Sequence, residues 1–302
     1  MTSPLPFIES DDPRYGDVRQ ESQLVRRVMA RNPGPFTYMG TGTFIVGRGS
    51  VAIIDPGPAL FSHVNAVHMA VVGEKVSHIL VTHTHLDHSG AAKILAERTG
   101  APVFAYGVHG WGRAAGLGDE DVEAGADRIF KPNKKLRDGE LLRGPGWTIE
   151  AIHTPGHTSN HICFRLREED TLFSGDHIMG WSTTVISPPD GDMALYLKSL
   201  EKVRERDFSI VRPTHGPVIE HPNVFIEKLI NHRLEREEEI VTAVRNGLSN
   251  IQEIVELVYF DVPKSLHASA ARSTLAHLIW LVDKGVVSAD PKPRLEATYS
   301  LS

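Results

Sequence analysis

The sequence predicts an α/β protein followed by a smaller α+β unit, and three observations carry that expectation. Short apolar runs separated by glycine turns alternate with helical patterns over the first two thirds of the chain. Several of these runs end on a polar residue beside proline or glycine, as in VAIIDPG, LFSGD and VRPTHG. After His221 the texture changes to three helical patterns and a terminal hairpin.

Bulk properties set the limits. The chain has 302 residues and is 41% hydrophobic, enough for one large domain or a large domain plus a small one. Its net charge of −6 gives no strong overall attraction to nucleic acid. A single cysteine, Cys163, rules out an internal disulfide framework and fits a reducing compartment. No signal peptide is evident in MTSPLPFIESDDPRYGD, and no apolar run is long enough to span a bilayer. The expectation is a cytoplasmic globular protein.

Residues 1–34 read as a lead-in arm or edge strand. TFIVGRGS and VAIIDPG follow as strands. Leu60, Val64, Val67 and Val71 recur at near-helical spacing, which predicts a surface helix over 60–72. HILVT is a strand apolar on both faces. It runs into a helix over 90–99 and then the strand APVFA. Residues 106–127 are glycine-rich and irregular, either a lid over an entrance or an ordinary long loop. WTIEAIHT, HICFRL and DTLFSGD are strands, 194–205 is a helix, and FSIVRPTH is the last strand. Beyond it, helices are expected over 225–246, 251–259 and 266–284. Ser249 and Gln252 offer a capping box for the second of these. VVSADPKPRLEATYSL completes the tail as a hairpin. Three helices and a hairpin suggest a winged-helix-like unit, with domains at 1–219 and 220–302.

The stretch VTHTHLDHSG carries the chemistry. In an extended chain, His83 and His85 point to the same side and reach one ion. Asp87 and His88 fall where the chain turns into a helix, so they point elsewhere and form a second ligand set. Imidazole with carboxylate suits Zn²⁺, with Fe and Mn as rivals. His157, Asp176 and His215 each sit on a stiff connection at a strand end. Such positions converge on one edge of a sheet, where α/β proteins place their sites. A single strand-end histidine is more often a hydrogen-bonded structural residue. His63, His68, His78, His109, His221, His232, His267 and His277 are therefore expected to be ordinary. His153 and His161 are left undecided, and His177 is expected to support or pack. Four residues of scarce ligand types within six positions are a different matter.

These residues resemble the metallo-β-lactamase fold superfamily. Asp55, then His83-x-His85-x-Asp87-His88, then His157, Asp176 and His215 follow the family pattern in order, over about residues 35–217. NPGPFTYMGTGTFIVG, HTPGHTSNH, LFSGD, THGPVI and the tail look like the branch with a C-terminal winged-helix-like extension, which includes the mitochondrial β-lactamase-like endoribonuclease. The resemblance implies a four-layer αββα sandwich with a small winged-helix-like domain. It implies that His83, His85 and His157 bind one zinc, that Asp87, His88 and His215 bind a second, and that Asp176 bridges them. Asp55 would orient a ligand imidazole.

The mechanism so implied is hydrolysis by a hydroxide shared between two ions about 3.5–4 Å apart. The substrate is an ester, thioester, amide or lactone, or a phosphodiester; Asp87 would orient the nucleophile. Mn²⁺ or Fe²⁺ are alternatives to zinc. The narrower likeness makes a metal-dependent endoribonuclease acting on single-stranded RNA the main alternative. Asp176 argues against a true β-lactamase, where Cys or Ser is usual near that position. His85 argues against oxygen reduction, where Glu is usual. The basic tail of hydroxyacylglutathione hydrolases has no match here. Tyr38, Trp181, Thr183 and Thr184 are candidate substrate contacts. Residues 218–302 hold nine Lys/Arg against twelve Asp/Glu, a net of −3, so duplex DNA is not the expected partner. Leu275, Leu278, Ile279, Leu281 and Val282 suggest that the tail packs on the catalytic domain or on a second copy in a homodimer.

Overall fold

The computed structural model describes residue 7 and residues 12–112 and 125–302. The N-terminal segment pairs as strands β1 (Val18–Gln20) and β2 (Val25–Met29), and β2 lies against β3 (Gly42–Arg48). The expected edge strand is therefore a hairpin, with β1 at the edge. A tight turn joins β3 to β4 (Ser50–Ile54). Alternation then decides the layers. Phe44 faces Ile54, and Val46 faces Ala52, on one side; Ile45 faces Ile53 on the other. All six are buried, because both faces of the sheet are covered. β5 (Lys75–Leu80) lies parallel to β4 after helix α1 (Phe61–Ala70). The short α2 (Leu86–Ser89) and α3 (Ala92–Thr99) lead to β6 (Val103–Ala105), and β7 (Lys134–Lys135) closes a seven-stranded sheet in chain order.

The second sheet has five strands, β8 (Leu141–Gly144), β9 (Trp147–His153), β10 (Ile162–Leu166), β11 (Thr171–Gly175) and β12 (Ile210–Pro213), with α4 (Met193–Arg204) crossing between the last two. Phe44, Val46, Ile54 and Leu80 of the first sheet join Trp147, Ile149, Phe164 and Phe173 of the second in one apolar layer. The opposite face of the first sheet meets α1 and α3 through Ile45, Ile53, Val64 and Leu95. The opposite face of the second meets α4 through Ile152, Leu172, Tyr196 and Leu200. These are the four layers α, β, β, α. β7 and β8 were not anticipated; β7 is two exposed lysines with no pattern to read.

Helices α5 (Pro222–Arg245), α6 (Ile251–Val258) and α7 (His267–Asp283) follow, then the hairpin β13 (Val287–Asp290) and β14 (Thr298–Leu301). Helix α5 serves two cores. Phe225, Ile226, Leu229 and Ile230 pack beneath the second sheet, whereas Ile240, Ala243 and Val244 pack with α6, α7 and Tyr299. Two expectations are corrected. The cap of α6 is Asn250, whose side chain accepts from Glu253 N at 2.9 Å, and not Ser249. Leu275, Leu278 and Leu281 fill the tail's own core; Ala276 and Trp280 are what α7 offers the catalytic side. Within the irregular stretch 106–127, residues 113–124 lie outside the described residues, so the lid reading does too. Among the described residues no helix is long and apolar enough to cross a membrane.

Two measurements follow from this packing. Asn250→Ala should destabilise the tail by about 1 kcal/mol, with Ser249→Ala within a few tenths, in denaturant unfolding. His63 is buried on α1 with Nε2 at 2.9 Å from Thr43 Oγ1, and burial pushes its pKa from 6.5 down to about 4. The unfolded chain therefore takes up this proton first. Stability from this group is complete above pH 6.5 and falls toward pH 4, by up to roughly 1.4 kcal/mol per pH unit. His63→Gln should flatten that part of the pH–stability curve by this amount.

Candidate metal centre

The strand ends converge as the sequence predicts, and two close turns make this geometrically feasible. Gly156, in HTPGHTSNH, has φ +142°, and a Cβ there would stand 2.3 Å from Tyr196 Cα. Gly175, just before Asp176, has φ +53°, and a Cβ would stand 2.7 Å from His161 Nε2 and 2.8 Å from Thr82 Oγ1. Both positions combine a left-handed backbone with no room for a side chain. They bring His157 and Asp176 to the edge where β5 delivers His83 and His85.

The seven side chains fall into two groups. His83, His85, His157 and Asp176 each offer a ligand atom, and these atoms lie within 4.8 Å of one another; Asp87, His88 and His215 form a second such group. In the first, His83 Nε2 is 2.8 Å and His157 Nε2 is 3.2 Å from His85 Nδ1. In the second, His215 Nε2 is 3.2 Å from His88 Nε2 and 3.0 Å from Asp87 Oδ2. Asp176 faces both. Its Oδ2 lies 3.7 Å from His157 Nε2 and 4.0 Å from His83 Nε2. Its Oδ1 lies 3.3 Å from His88 Nε2 and 3.4 Å from His215 Nε2, and is buried with no hydrogen-bond partner.

Four of the five rings are aimed from behind. His88 Nδ1 meets Asp55 Oδ2 at 2.8 Å, His215 Nδ1 meets Gly40 O at 3.0 Å, and His157 Nδ1 meets Val185 O at 2.7 Å. Thr82 Oγ1 donates to Asp55 Oδ2 at 2.9 Å, so its lone pair is left to accept from His83 Nδ1 at 3.1 Å. These contacts put the proton on Nδ1 and leave Nε2 bare toward the centre, the tautomer a metal requires. Asp55, fully buried, also accepts from Thr82 N at 2.8 Å and Thr214 Oγ1 at 2.7 Å.

Charge follows the same division. Burial, and then the neighbouring imidazoles of His88, His85 and His157, hold His83 well below its usual pKa. Burial also opposes the charged form of His88, but Asp87, Asp176 and Asp55 outweigh it and hold His88 well above. His215 is raised in the same way, against burial, by Asp176 and Asp87. Desolvation opposes ionisation of Asp87 and Asp176, yet the His88 and His215 imidazoles keep both carboxyls below the usual range. Facing ring nitrogens, two ionised carboxylates and an orphaned carboxylate oxygen fit a divalent cation: the centre favours positive charge and offers the donors to bind it.

The other candidates are placed as follows. Tyr38, at φ +54°, stacks on Trp181 with ring centroids 4.9 Å apart and planes 17° apart. Thr183 is half-buried beside them in the chain. Thr184 is buried, and its hydroxyl stands 3.1 Å from His157 Nδ1, behind the ring. His161, left undecided from sequence, is buried; Nδ1 meets Thr154 Oγ1 at 2.9 Å, and Nε2 accepts from Asp176 N at 3.3 Å. It holds the turn that presents Asp176. His153 stacks on Tyr106 instead, with centroids 3.7 Å apart. His177 packs against Tyr196, with centroids 5.2 Å apart. Sequence reasoning missed Thr82 and Thr214, whose residue type is too common to signal anything. Cys163 is buried and its thiol is pushed up to about 12 by desolvation, so it is no nucleophile.

Comparison with known proteins agrees with this geometry. Residues 37–215 match the family model described as the metallo-beta-lactamase superfamily, and residues 251–294 match that of the beta-lactamase associated winged helix domain. A beta-lactamase-like protein 2 homolog from Drosophila melanogaster is 34% identical over 281 residues, covering 89% of this chain and 91% of that one. An atrochrysone carboxyl ACP thioesterase from Aspergillus chevalieri is 32% identical over 270 residues, covering 85% and 80%. The crystal structure of a beta-lactamase domain protein from Burkholderia ambifaria shares the fold, with a TM-score of 0.80 at 22% identity over 97% of this chain and 95% of that one. The chain belongs to the metallo-β-lactamase superfamily of metal-dependent hydrolases and carries that family's associated winged-helix domain.

Proposed function

We propose that the protein is a two-metal hydrolase of small-molecule acyl compounds, with thioesters as the substrate class. The observation that carries the reading is the division of seven side chains into two groups with Asp176 facing both. His83, His85 and His157 would hold one ion, Asp87, His88 and His215 the other, and the Asp176 carboxylate would serve both. Zinc suits this mixed imidazole and carboxylate set best, ahead of Mn²⁺ and Fe²⁺. Two such ions supply an activated water and polarise the oxygen of the scissile group. The chain's own part is positioning. Asp55, Gly40 O and Val185 O fix the ligand rings. Asp87 is half-buried with Oδ2 3.4 Å from Thr41 Oγ1, and its carboxylate can accept a hydrogen bond from an attacking water and so orient it. The stacked Tyr38 and Trp181 give a flat apolar wall to the acyl group, and Thr183, two residues along the chain from Trp181, is a candidate hydroxyl contact.

The thioester assignment is favoured over a phosphodiester by relatives named as ACP thioesterases over most of both chains. The acidic tail also gives single-stranded RNA little to bind. We further propose that the chain divides near residue 220, where the texture of the sequence changes.

Three outcomes are expected. Metal analysis of the purified protein should return two equivalents of zinc, and chelation should abolish turnover of an acyl-thioester panel, with single-stranded RNA left intact throughout. Asp176→Ala should lose at least about 100-fold in turnover, consistent with loss of a shared metal ligand; a variant turning over near the wild-type rate would sink the two-metal reading. Asp55→Ala should weaken retention of one ion by about 10–100-fold, read by competition with a chelator.

A further inference from the structure

Arg233 projects from α5 and is 3% exposed, so its guanidinium is a buried cation. Its Nε has no hydrogen-bond partner, and among the described residues no carboxylate is paired with it. A buried charge left without a counterion is costly, and its contacts must account for it. Two are present. Nη2 donates to Thr184 O at 2.5 Å, and the guanidinium lies over the Tyr196 ring, 5.5 Å from its centroid. Thr184 and the next residue are the pair that His157 leans on. His157 Nδ1 is 2.7 Å from Val185 O and 3.1 Å from Thr184 Oγ1. One residue further on, Ile186 N donates to Ser273 Oγ of α7 at 3.4 Å. Residues 184–186 thus face the metal centre on one side and are tied to tail helices α5 and α7 on the other.

We propose that Arg233 is a positioning residue for His157, so that the C-terminal helices complete one half of the metal centre. Holding the Thr184 carbonyl fixes the peptide that leads into Val185, whose own carbonyl sets the tilt of the His157 ring. The inference rests on reading His157 as a ligand. It is selective by construction. His88 and His215 take their orientation from Asp55 and Gly40, neither of which touches Arg233. Loss of the tie therefore loosens one ion and spares the other, whereas a buried arginine serving only general stability would affect both alike.

The test is a cobalt(II) titration of the metal-free full-length chain against a competing chelator, followed by visible absorption. Wild-type protein should bind two ions. Arg233→Met should bind one with wild-type affinity and the other about 10–100-fold more weakly, as expected for loss of an outer partner. Arg233→Lys keeps the buried charge and most of the packing but not the fork, and should lie between the two. It supplies the result if the methionine variant does not fold. The Nδ1 proton resonance of His157 should shift in both variants, and that of His88 should not. Equal weakening of both ions, or unchanged affinity for both in either variant, overturns the proposal. Fewer than two ions in the wild-type protein would instead overturn the reading of the centre itself.

Discussion

One buried carboxylate organises the catalytic edge of this fold. Asp55 directly follows β4, with φ +48°, and is fully enclosed. It accepts from the backbone and hydroxyl of Thr82 beyond β5, from the hydroxyl of Thr214 beyond β12, and from the ring of His88 at α2. β5 and β12 belong to different sheets. The same group therefore clamps the two sheets together at one end and aims a ligand there. A desolvated carboxylate is expensive, and four donors within 2.9 Å offset that cost. Thr82 passes the constraint on, because a hydroxyl that donates to Asp55 must accept from His83.

Much of this edge was legible in the sequence because scarce residue types stood at recognisable breaks. The cluster from His83 to His88 lies within six positions, and His157, Asp176 and His215 each sit beside glycine or proline at the end of an apolar run. Period and turn chemistry likewise exposed the sheets and the tail helices. What escaped is set by tertiary placement. Thr82, Thr214 and Arg233 look like any threonine or surface arginine until the chain folds around them. Asn250 and Ser249 are both good caps by type, and only the turn geometry chooses between them. β7 exists because β6 offers it an edge, not because Lys134 and Lys135 favour a strand. His161 could not be told from His153 by spacing, yet one supports Asp176 and the other stacks on Tyr106.

The tail is integrated rather than appended. Helix α5 begins in the core under the second sheet and ends in the core of the winged-helix unit. The helix that a nucleic-acid reader would lay in a groove, α7, has Leu275, Leu278 and Leu281 turned inward and Ala276 and Trp280 turned to the catalytic side. Two of its faces are spent on packing. Its neighbours Ser273 and Thr274 are buried as well. The unit's surface is acidic by composition, so its energetics point toward holding the hydrolase together more than toward binding a polyanion.

The centre itself explains why such scaffolding is needed. Five imidazoles and two carboxylates meet with ring nitrogens as close as 2.8 Å, a packing that a chain does not adopt for its own stability. Facing lone pairs repel, and desolvation removes the water that would screen them. The fold holds them there by rigid means: strand ends, turns at Gly156 and Gly175 that admit no side chain, backbone carbonyls behind His157 and His215, and the Asp55 carboxylate behind His88. Rings held in this way cannot relax apart, so the strain is relieved only by positive charge placed between them. The raised affinity of His88 and His215 for protons is the weakest form of that demand. A divalent cation would satisfy it more fully, and binding one would offset the cost of assembling the site.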